Sequence, residues 1–329
     1  MMGACRRSNP AAEMAPDYDG PPHAWGVVLA GGKGTRLAGL TRRLYGEDRP
    51  KQYAVLTGRK SLLRQTLDRV SLLIPPQRTV VVTMAGQGSD MTSELRDQSP
   101  KPHVLEQPKD RGTAAAVMLA AHRVLAQDPD AVLMVLPSDH FVGDDEVFMT
   151  HIAEVAEFLE HRPERIVLLG AEPSEPETDY GWIELGEPEP RSGRSQMYRV
   201  LSFSEKPTQA AANELFRSGA LWNTFVFAGR AAALVEAGRA CLPVLHERLA
   251  RLESFLGTEH ERWALGQAYE LAQRASFSRA ILERCPEKLT VMRLSGVSWC
   301  DLGTPERVAR TLDGIGVRPE WAAALGAAG

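Results

Sequence analysis

The chain has 329 residues, 43% hydrophobic and 24% charged, with a formal net charge of −4. This is the composition of a soluble globular protein with room for one large α/β domain or two smaller ones. No apolar run approaches the roughly 18 residues of a membrane helix, and the acidic total speaks against a nucleic-acid surface.

Residues 1–24 carry Pro, Gly and charges but no apolar core of a secretory signal, and they read as a loose N-terminal tail. Trp25–Ala30 reads as a buried strand. It runs into Gly31-Gly32-Lys33-Gly34-Thr35-Arg36, which is neither a P-loop nor a dinucleotide fingerprint. Glycines so spaced let backbone N–H groups surround an anion, because no Cβ stands in the way. A tight turn would use the same glycines for geometry alone, but it leaves Thr35, Arg36 and, after Pro50, Lys51 unexplained. From Lys33 to Arg64 there are nine Lys or Arg against two acids, in a chain that is acidic overall. That local excess predicts a polyphosphate held at one place, although Arg59, Lys60 and Arg64 fit an ordinary solvated face.

Ser61–Leu73 reads as a helix, Thr79–Met84 as a strand, and 112–127 as an Ala-rich helix opened by Gly112-Thr113. Ala131–Leu136 is a buried strand, Glu146–Glu160 a helix and Ile166–Gly170 a strand. This βαβα order predicts a mostly parallel sheet with helices on both faces. Beyond residue 178, Tyr180–Leu185, Met197–Phe203 and Trp222–Phe227 read as strands, with Gly186–Arg194 as a surface loop. Helical stretches follow at 240–256 and 260–273, then a strand at Leu289–Leu294 and a helix at Pro305–Leu312, with Pro in its first turn. No linker divides the chain, so one domain is expected over 25–312, with a C-terminal tail at 313–329. Cys5, Cys241, Cys285 and Cys300 are scattered, which fits a reducing cytosol and neither a disulfide framework nor a zinc site.

Pro137-Ser138-Asp139-His140 ends a buried strand, and in open α/β sheets ligands bind beyond the carboxyl ends of strands. A carboxylate there suits Mg²⁺, or it caps the next turn; the residues alone leave both readings open. Asp301, in Trp299-Cys300-Asp301-Leu302-Gly303, is a second such carboxylate. Lys206, in Glu205-Lys206-Pro207, is either an exposed lysine or an ammonium positioned by the proline. The segment Glu106–Ala114 enters a helix through small residues, where a ring or phosphate can approach backbone N–H groups. Asp179–Glu184 and Trp222–Phe225 mix aromatics with a carboxylate and an amide, a set that grips sugar hydroxyls or packs a core.

Taken in this order, the pieces resemble the sugar-1-phosphate nucleotidylyltransferases, and within them the mannose-1-phosphate guanylyltransferases, over residues 25–310. Leu29–Leu37 matches L-x-G-G-x-G-T-R-L, and Pro50-Lys51-Gln52 matches P-K-Q. Arg111–Ala114 is similar to R-N-T-A, Pro137–His140 to P-[AS]-D-H, and Tyr180–Glu184 to Y-G-Y-I-E. Glu205–Pro207 matches E-K-P, Trp222-Asn223 the start of W-N-S-G, and Trp299–Gly303 W-x-D-x-G.

The resemblance implies a Rossmann-like, mostly parallel central sheet flanked by helices, of the nucleotide-diphospho-sugar transferase type, with a smaller sugar-side sheet region. It implies transfer of a nucleotidyl group from an NTP, with GTP first, to a sugar 1-phosphate, with mannose 1-phosphate first. Arg36, Lys51 and Asp139 would be catalytic. Ala30, Gly31, Gly32, Gly34, Thr35, Gln107, Arg111, Gly112 and Thr113 would bind the nucleotide. Gly181, Glu184, Lys206 and Asn223 would bind the sugar phosphate, and Asp139 with Asp301 would hold Mg²⁺. A cytoplasmic protein without membrane or nucleic-acid partners is expected, and a homo-oligomer is compatible. Three departures stand out. Gln107 replaces the guanylyltransferases' Glu and matches the thymidylyl and uridylyl relatives; Thr224-Phe225 replaces Ser-Gly; Ser276–Arg279 replaces S-I-D-Y. They keep open a thymidylyl- or uridylyltransferase acting on a glucose-type phosphate. Non-catalytic sugar-nucleotide-sensing relatives tend to lose the charged residues, whereas Arg36, Lys51, Asp139, Lys206 and Asp301 are all present here.

Overall fold

Strands that are apolar along their whole length need cover on both faces, and the computed structural model, which describes residues 20–190, 195–319 and 321, provides it. β1 (Ala24–Leu29), β2 (Thr79–Met84), β3 (His103–Gln107) and β4 (Val132–Pro137) run parallel in the order β3-β2-β1-β4. Alternate residues of β1 point into two different cores, Trp25 and Val27 into one, Ala24 and Val28 into the other. Between these strands lie α1 (Ala38–Tyr45), α2 (Leu62–Ser71), α3 (Gly88–Glu94) and α4 (Gly112–Leu125). α4 packs closely because its buried face is largely alanine.

A short β5 (Phe141–Val142) and α5 (Asp145–His161) follow; Asp144 caps α5 by accepting from the Val147 N–H at 2.9 Å. Then come β6 (Ile166–Ala171), β7 (Gly181–Pro188), β8 (Met197–Glu205), α6 (Gln209–Arg217) and β9 (Leu221–Arg230). α7 (Ala231–Cys241), α8 (Pro243–Ala250) and α9 (Glu261–Glu270) lead to β10 (Leu289–Arg293), β11 (Trp299–Cys300) and α10 (Pro305–Gly314). The nine-stranded sheet continues from β4 as β9-β6-β10-β8-β7. β6 and β10 are parallel, while β9, β8 and β7 pair antiparallel with their neighbours. The expected α/β sheet is therefore present, and the region expected as a smaller sheet is the far edge of the same sheet. β5 and β11 form a separate two-stranded ribbon.

Several boundaries differ from the sequence reading. The stretch expected to be helical from 240 starts earlier, at Ala231, and breaks at Leu242, because Pro243 disfavours a helical residue before it. β7 runs on to Pro188, into the expected loop, of which 191–194 lie outside the described residues. β3 escapes a pattern search because it is mostly exposed and polar. α10 ends two residues past the expected domain limit, and the tails at 1–19, 320 and 322–329 lie outside the described residues. Cys241 and Cys285 are free thiols 3.2 Å apart, sulfur to sulfur. Among the described residues no helix is long and apolar enough to cross a membrane.

Where α4 meets α8, the rings of His122 and His246 lie 5.1 Å apart. Burial, with His246 beside it, lowers the His122 pKa from 6.5 to about 4, so the folded state holds this ring neutral. The unfolded chain binds a proton there as pH falls below 6.5, and the folded chain does not. Stability from this group is complete above about pH 6.5 and declines as pH falls towards 4. Urea unfolding across that window should show a shallower pH slope for His122→Leu than for the wild type.

Candidate functional site

β1 and β4 are neighbours in register, with Leu29 opposite Pro137. The Ser138 N–H donates to the Leu29 carbonyl at 3.1 Å, so the glycine loop and Asp139 leave the sheet side by side. Gly34 has φ 61°, and a Cβ there would stand 2.6 Å from the Lys51 nitrogen and 2.8 Å from the Lys51 Cβ. The Gln52 amide donates to the carbonyls of Ala30 and Gly32, both at 2.8 Å, and so fixes the loop from beneath. Around Gly32, by contrast, nothing lies within 4 Å of an added Cβ.

Lys51 is only 5% exposed. Its ammonium donates to the backbone carbonyl of Asp301 and sits 3.1 Å from Asp139 Oδ2. Burial pushes the Asp139 carboxyl up, and Lys51 and His140 together bring it below its ordinary range. Burial also lowers His140 to about 4, so the ring 3.8 Å from Asp139 Oδ1 is neutral at pH 7.

Asp301 is heavily engaged through Oδ1, which accepts from Tyr180 Oη at 2.7 Å and from the Gly303 N–H and Arg307 Nη1 at 3.0 Å. Its Oδ2 has longer contacts, 3.2 Å to Arg307 and 3.7 Å to Arg36. Burial would raise this carboxyl; His140, Arg307, Tyr180 and Lys51 together hold it low. Arg307 itself donates to Glu177 and lies 4.5 Å over the Tyr180 ring. Nothing in the spacing of α10 distinguishes it from a surface arginine, and it was not among the sequence candidates.

Two cavities meet above this carboxylate pair. A cleft of about 1030 Å³ is lined by Gly31, Gly32, Gly34, Thr35, Gln107, Gly112, Thr113 and Asp139. A smaller one of about 300 Å³ is lined by Arg36, Thr113, Gly181, Lys206, Asn223 and Asp301. Thr113, His140, Phe225 and Ser276 line both. Most of the sequence candidates are thus brought together. Ala30 takes part through its carbonyl. Arg36 lies in the smaller cavity, held by Asp179 at 3.3 Å.

Two candidates lie elsewhere. Arg111 donates to the carbonyls of Tyr269 (2.7 Å) and Glu270 (2.8 Å), and so binds the C-terminal end of α9 instead of lining the cleft. Glu184 accepts from Ser202 across the β7–β8 pair and lines neither cavity. The start of α4 is also less open than its small residues suggest. The Ala114 N–H donates to the Ala275 carbonyl at 3.1 Å, and the Gly112 N–H to Asp110 at 2.9 Å. In place of Glu184, Glu205 lines the smaller cavity, its carboxyl raised by burial. A Cβ at Gly181 would come within 2.8 Å of that carboxylate, so only glycine leaves Glu205 its place.

Asp139 and Asp301 are hard oxygen donors, and the Lys51 ammonium lies against the Asp139 carboxylate and the Asp301 backbone carbonyl. Among the described residues there is no cluster of three or more His, Cys, Asp or Glu that could hold a metal. Two carboxylates without a full protein cage suit Mg²⁺, which takes its other ligands from phosphates and water.

Residues 25–311 match the family model described as nucleotidyl transferase. The chain is 31% identical to mannose-1-phosphate guanylyltransferase 2 of Escherichia coli O157:H7 over 84% of its own length. It is 30% identical to the xanthan biosynthesis protein XanB of Xanthomonas campestris pv. campestris (strain B100), again over 84%. It spans 58% and 57% of those two relatives. A solved structure from Thermus thermophilus, described as mannose-1-phosphate geranyltransferase, is 35% identical with a TM-score of 0.74. That match covers 90% of this chain and 80% of the other. A Helicobacter pylori structure described as mannose-6-phosphate isomerase shares the fold, with TM-score 0.64 at 20% identity over 84% of this chain and 99% of that one.

The loop geometry separates two glycines that look alike in sequence. Gly34→Ala should destabilise the protein by roughly 1–3 kcal/mol, through its positive φ and the collision with Lys51. Gly32→Ala should leave unfolding nearly unchanged. Denaturant titration of the two variants checks this.

Proposed function

This chain belongs to the nucleotidyl transferase family, and from that membership we propose that it transfers a nucleotidyl group from GTP to mannose 1-phosphate, releasing pyrophosphate. The observation that carries the reading is the meeting of the two cavities. The larger, floored by the glycine loop, has room for a nucleotide; the smaller offers Lys206 and Arg36 to a phosphate and Glu205 and Asn223 to hydroxyls.

In this reaction a sugar-phosphate oxygen attacks the α-phosphorus in line, a P–O bond forms, and the bond to pyrophosphate breaks. The attacking phosphate is already anionic, so no general base is required and no covalent enzyme intermediate forms. Catalysis then consists of positioning and charge stabilisation. The loop N–H groups would hold the triphosphate. Lys51 would offset charge near the α-phosphate, and Lys206 and Arg36 would hold the incoming phosphate. Asp139 and Asp301 would hold Mg²⁺, which when bound neutralises and orients phosphate oxygens.

Gln107 is the observation that supports a second base. Its carbonyl oxygen accepts from Tyr269 Oη at 3.1 Å, which leaves the amide nitrogen as donor. A keto oxygen accepts that bond in guanine, uracil and thymine alike.

A panel of GTP, UTP and TTP against mannose and glucose 1-phosphates, read by pyrophosphate release, tests the assignment. GTP with mannose 1-phosphate should turn over fastest. A preference for UTP or TTP with glucose 1-phosphate would establish the second base instead, and no turnover with any pair would overturn the activity. Lys206→Ala and Arg36→Ala should each lower kcat/KM by about 10²–10³, and Asp139→Ala should abolish turnover with a melt that stays cooperative but moves to lower temperature, because it strands the buried Lys51 ammonium. A fully active, Mg²⁺-dependent Asp139→Ala protein would remove the metal assignment.

A further inference from the structure

Tyr269 lies in the last turn of α9 and is fully buried. A buried hydroxyl needs a partner. Tyr269 Oη lies 3.1 Å from Gln107 Oε1 and 3.3 Å from the Ala115 carbonyl oxygen. The hydroxyl has one proton to give, and burial raises its pKa above the usual value, so it keeps that proton. Ala115 lies inside α4, where the helix already supplies its carbonyl with a donor. Gln107 Oε1, at the end of β3, is the nearer acceptor and takes the bond. The backbone of Tyr269 is tied to the same segment: its carbonyl accepts from Arg111 Nε at 2.7 Å. The Ala275 N–H donates to the Arg111 carbonyl at 3.0 Å, and the Phe277 N–H to Thr113 Oγ1 at 2.9 Å. Residues 107–115 and 269–277 are thus laced together around the hydroxyl.

With its oxygen bound, the Gln107 amide has its nitrogen on the other side. A Cβ at Gly31 would stand 3.1 Å from that nitrogen and 3.2 Å from Met84 Cγ. Gly31, Met84 and Gln107 all line the larger cleft. The nitrogen therefore lies at the cleft wall, beside the glycine loop, as a donor. Tyr269 lines neither cavity, so it reaches the cleft only through Gln107.

We infer that Tyr269 is a positioning residue that fixes the direction of the Gln107 amide and so sets which bases the cleft accepts. The inference rests on the larger cleft being the nucleotide site, with the keto oxygen of the base at Gln107. A donor suits that oxygen in guanine, uracil or thymine. Adenine and cytosine carry an amino group in its place, and two donors facing each other leave both without a partner. An amide that turned over would offer its oxygen to the amino group instead, because it carries an acceptor and a donor side by side. The Tyr269 hydroxyl opposes that turn, since it would lose its nearer acceptor. Arg111 adds to the effect by holding the Tyr269 backbone.

The test uses the full chain as wild type, Tyr269→Phe, Gln107→Leu and the double variant. GTP is compared with ATP, and UTP with CTP, while the sugar 1-phosphate that the wild type prefers is held saturating. Tyr269→Phe should lower the kcat/KM ratio of keto over amino nucleotide about tenfold. KM for the sugar 1-phosphate should stay within about twofold. In the Gln107→Leu background the same change should move the ratio by less than about twofold, because the group that Tyr269 orients is gone. Arg111→Gln loosens the same anchor, and it carries the test if a thermal melt shows Tyr269→Phe unfolded. An unchanged ratio in a folded variant would overturn the inference. So would an equal fall in the Gln107→Leu background, which would mean that Tyr269 acts by packing alone. A wild type that favours ATP or CTP, or turns over no NTP, would overturn the reading of the cleft itself, a distinct result.

Discussion

A buried lysine governs this site. An ammonium removed from water is costly unless it is paired and hydrogen-bonded, and Lys51 meets that demand with the Asp139 carboxylate and the Asp301 carbonyl. Three segments far apart in sequence are thereby drawn to one point. The constraint propagates to Gly34, which must lack a Cβ because the Lys51 backbone lies against it. It propagates also to Gln52, the next residue, which is placed beneath the glycine loop and holds two of its carbonyls.

Asp301 extends the same logic towards the smaller cavity. Arg307 and Tyr180 occupy its Oδ1, Arg307 binds Glu177, and the Glu177 carboxylate accepts from the Asp179 N–H at 2.9 Å. Asp179 in turn holds Arg36. Of the cations that would meet phosphate, Arg36 and Lys51 are thus already held by carboxylates before an anion arrives. Such pre-alignment is the form that catalysis by fixed charges requires.

Much of this was legible in the sequence, for identifiable reasons. β1, β4 and β6 are apolar on both faces because helices cover both, and no surface strand reads that way. The glycine loop stood out because its glycines come with charge. What spacing could not convey is direction. Arg111 and Glu184 lie in matching segments, yet one turns to the carbonyls at the end of α9 and the other to Ser202 across a strand pair. Arg307 is the converse, a residue of ordinary spacing that the fold turns inward to a buried carboxylate. β3 lacked a signal because an exposed edge strand needs none.

Among the described residues, the three with left-handed backbone other than glycine, Lys206, Phe225 and Leu302, all lie in or beside the two cavities. Each holds about 1–3 kcal/mol of backbone strain; glycine would relieve it at Lys206 and Phe225, which line the site, whereas at Leu302, which is fully buried, it would open a cavity. A lineage or an engineer selecting for heat resistance alone would be drawn to Lys206 and Phe225 first. Hardiness and function therefore compete here for the same two residues, and thermal tolerance would have to be sought in the helical layers instead.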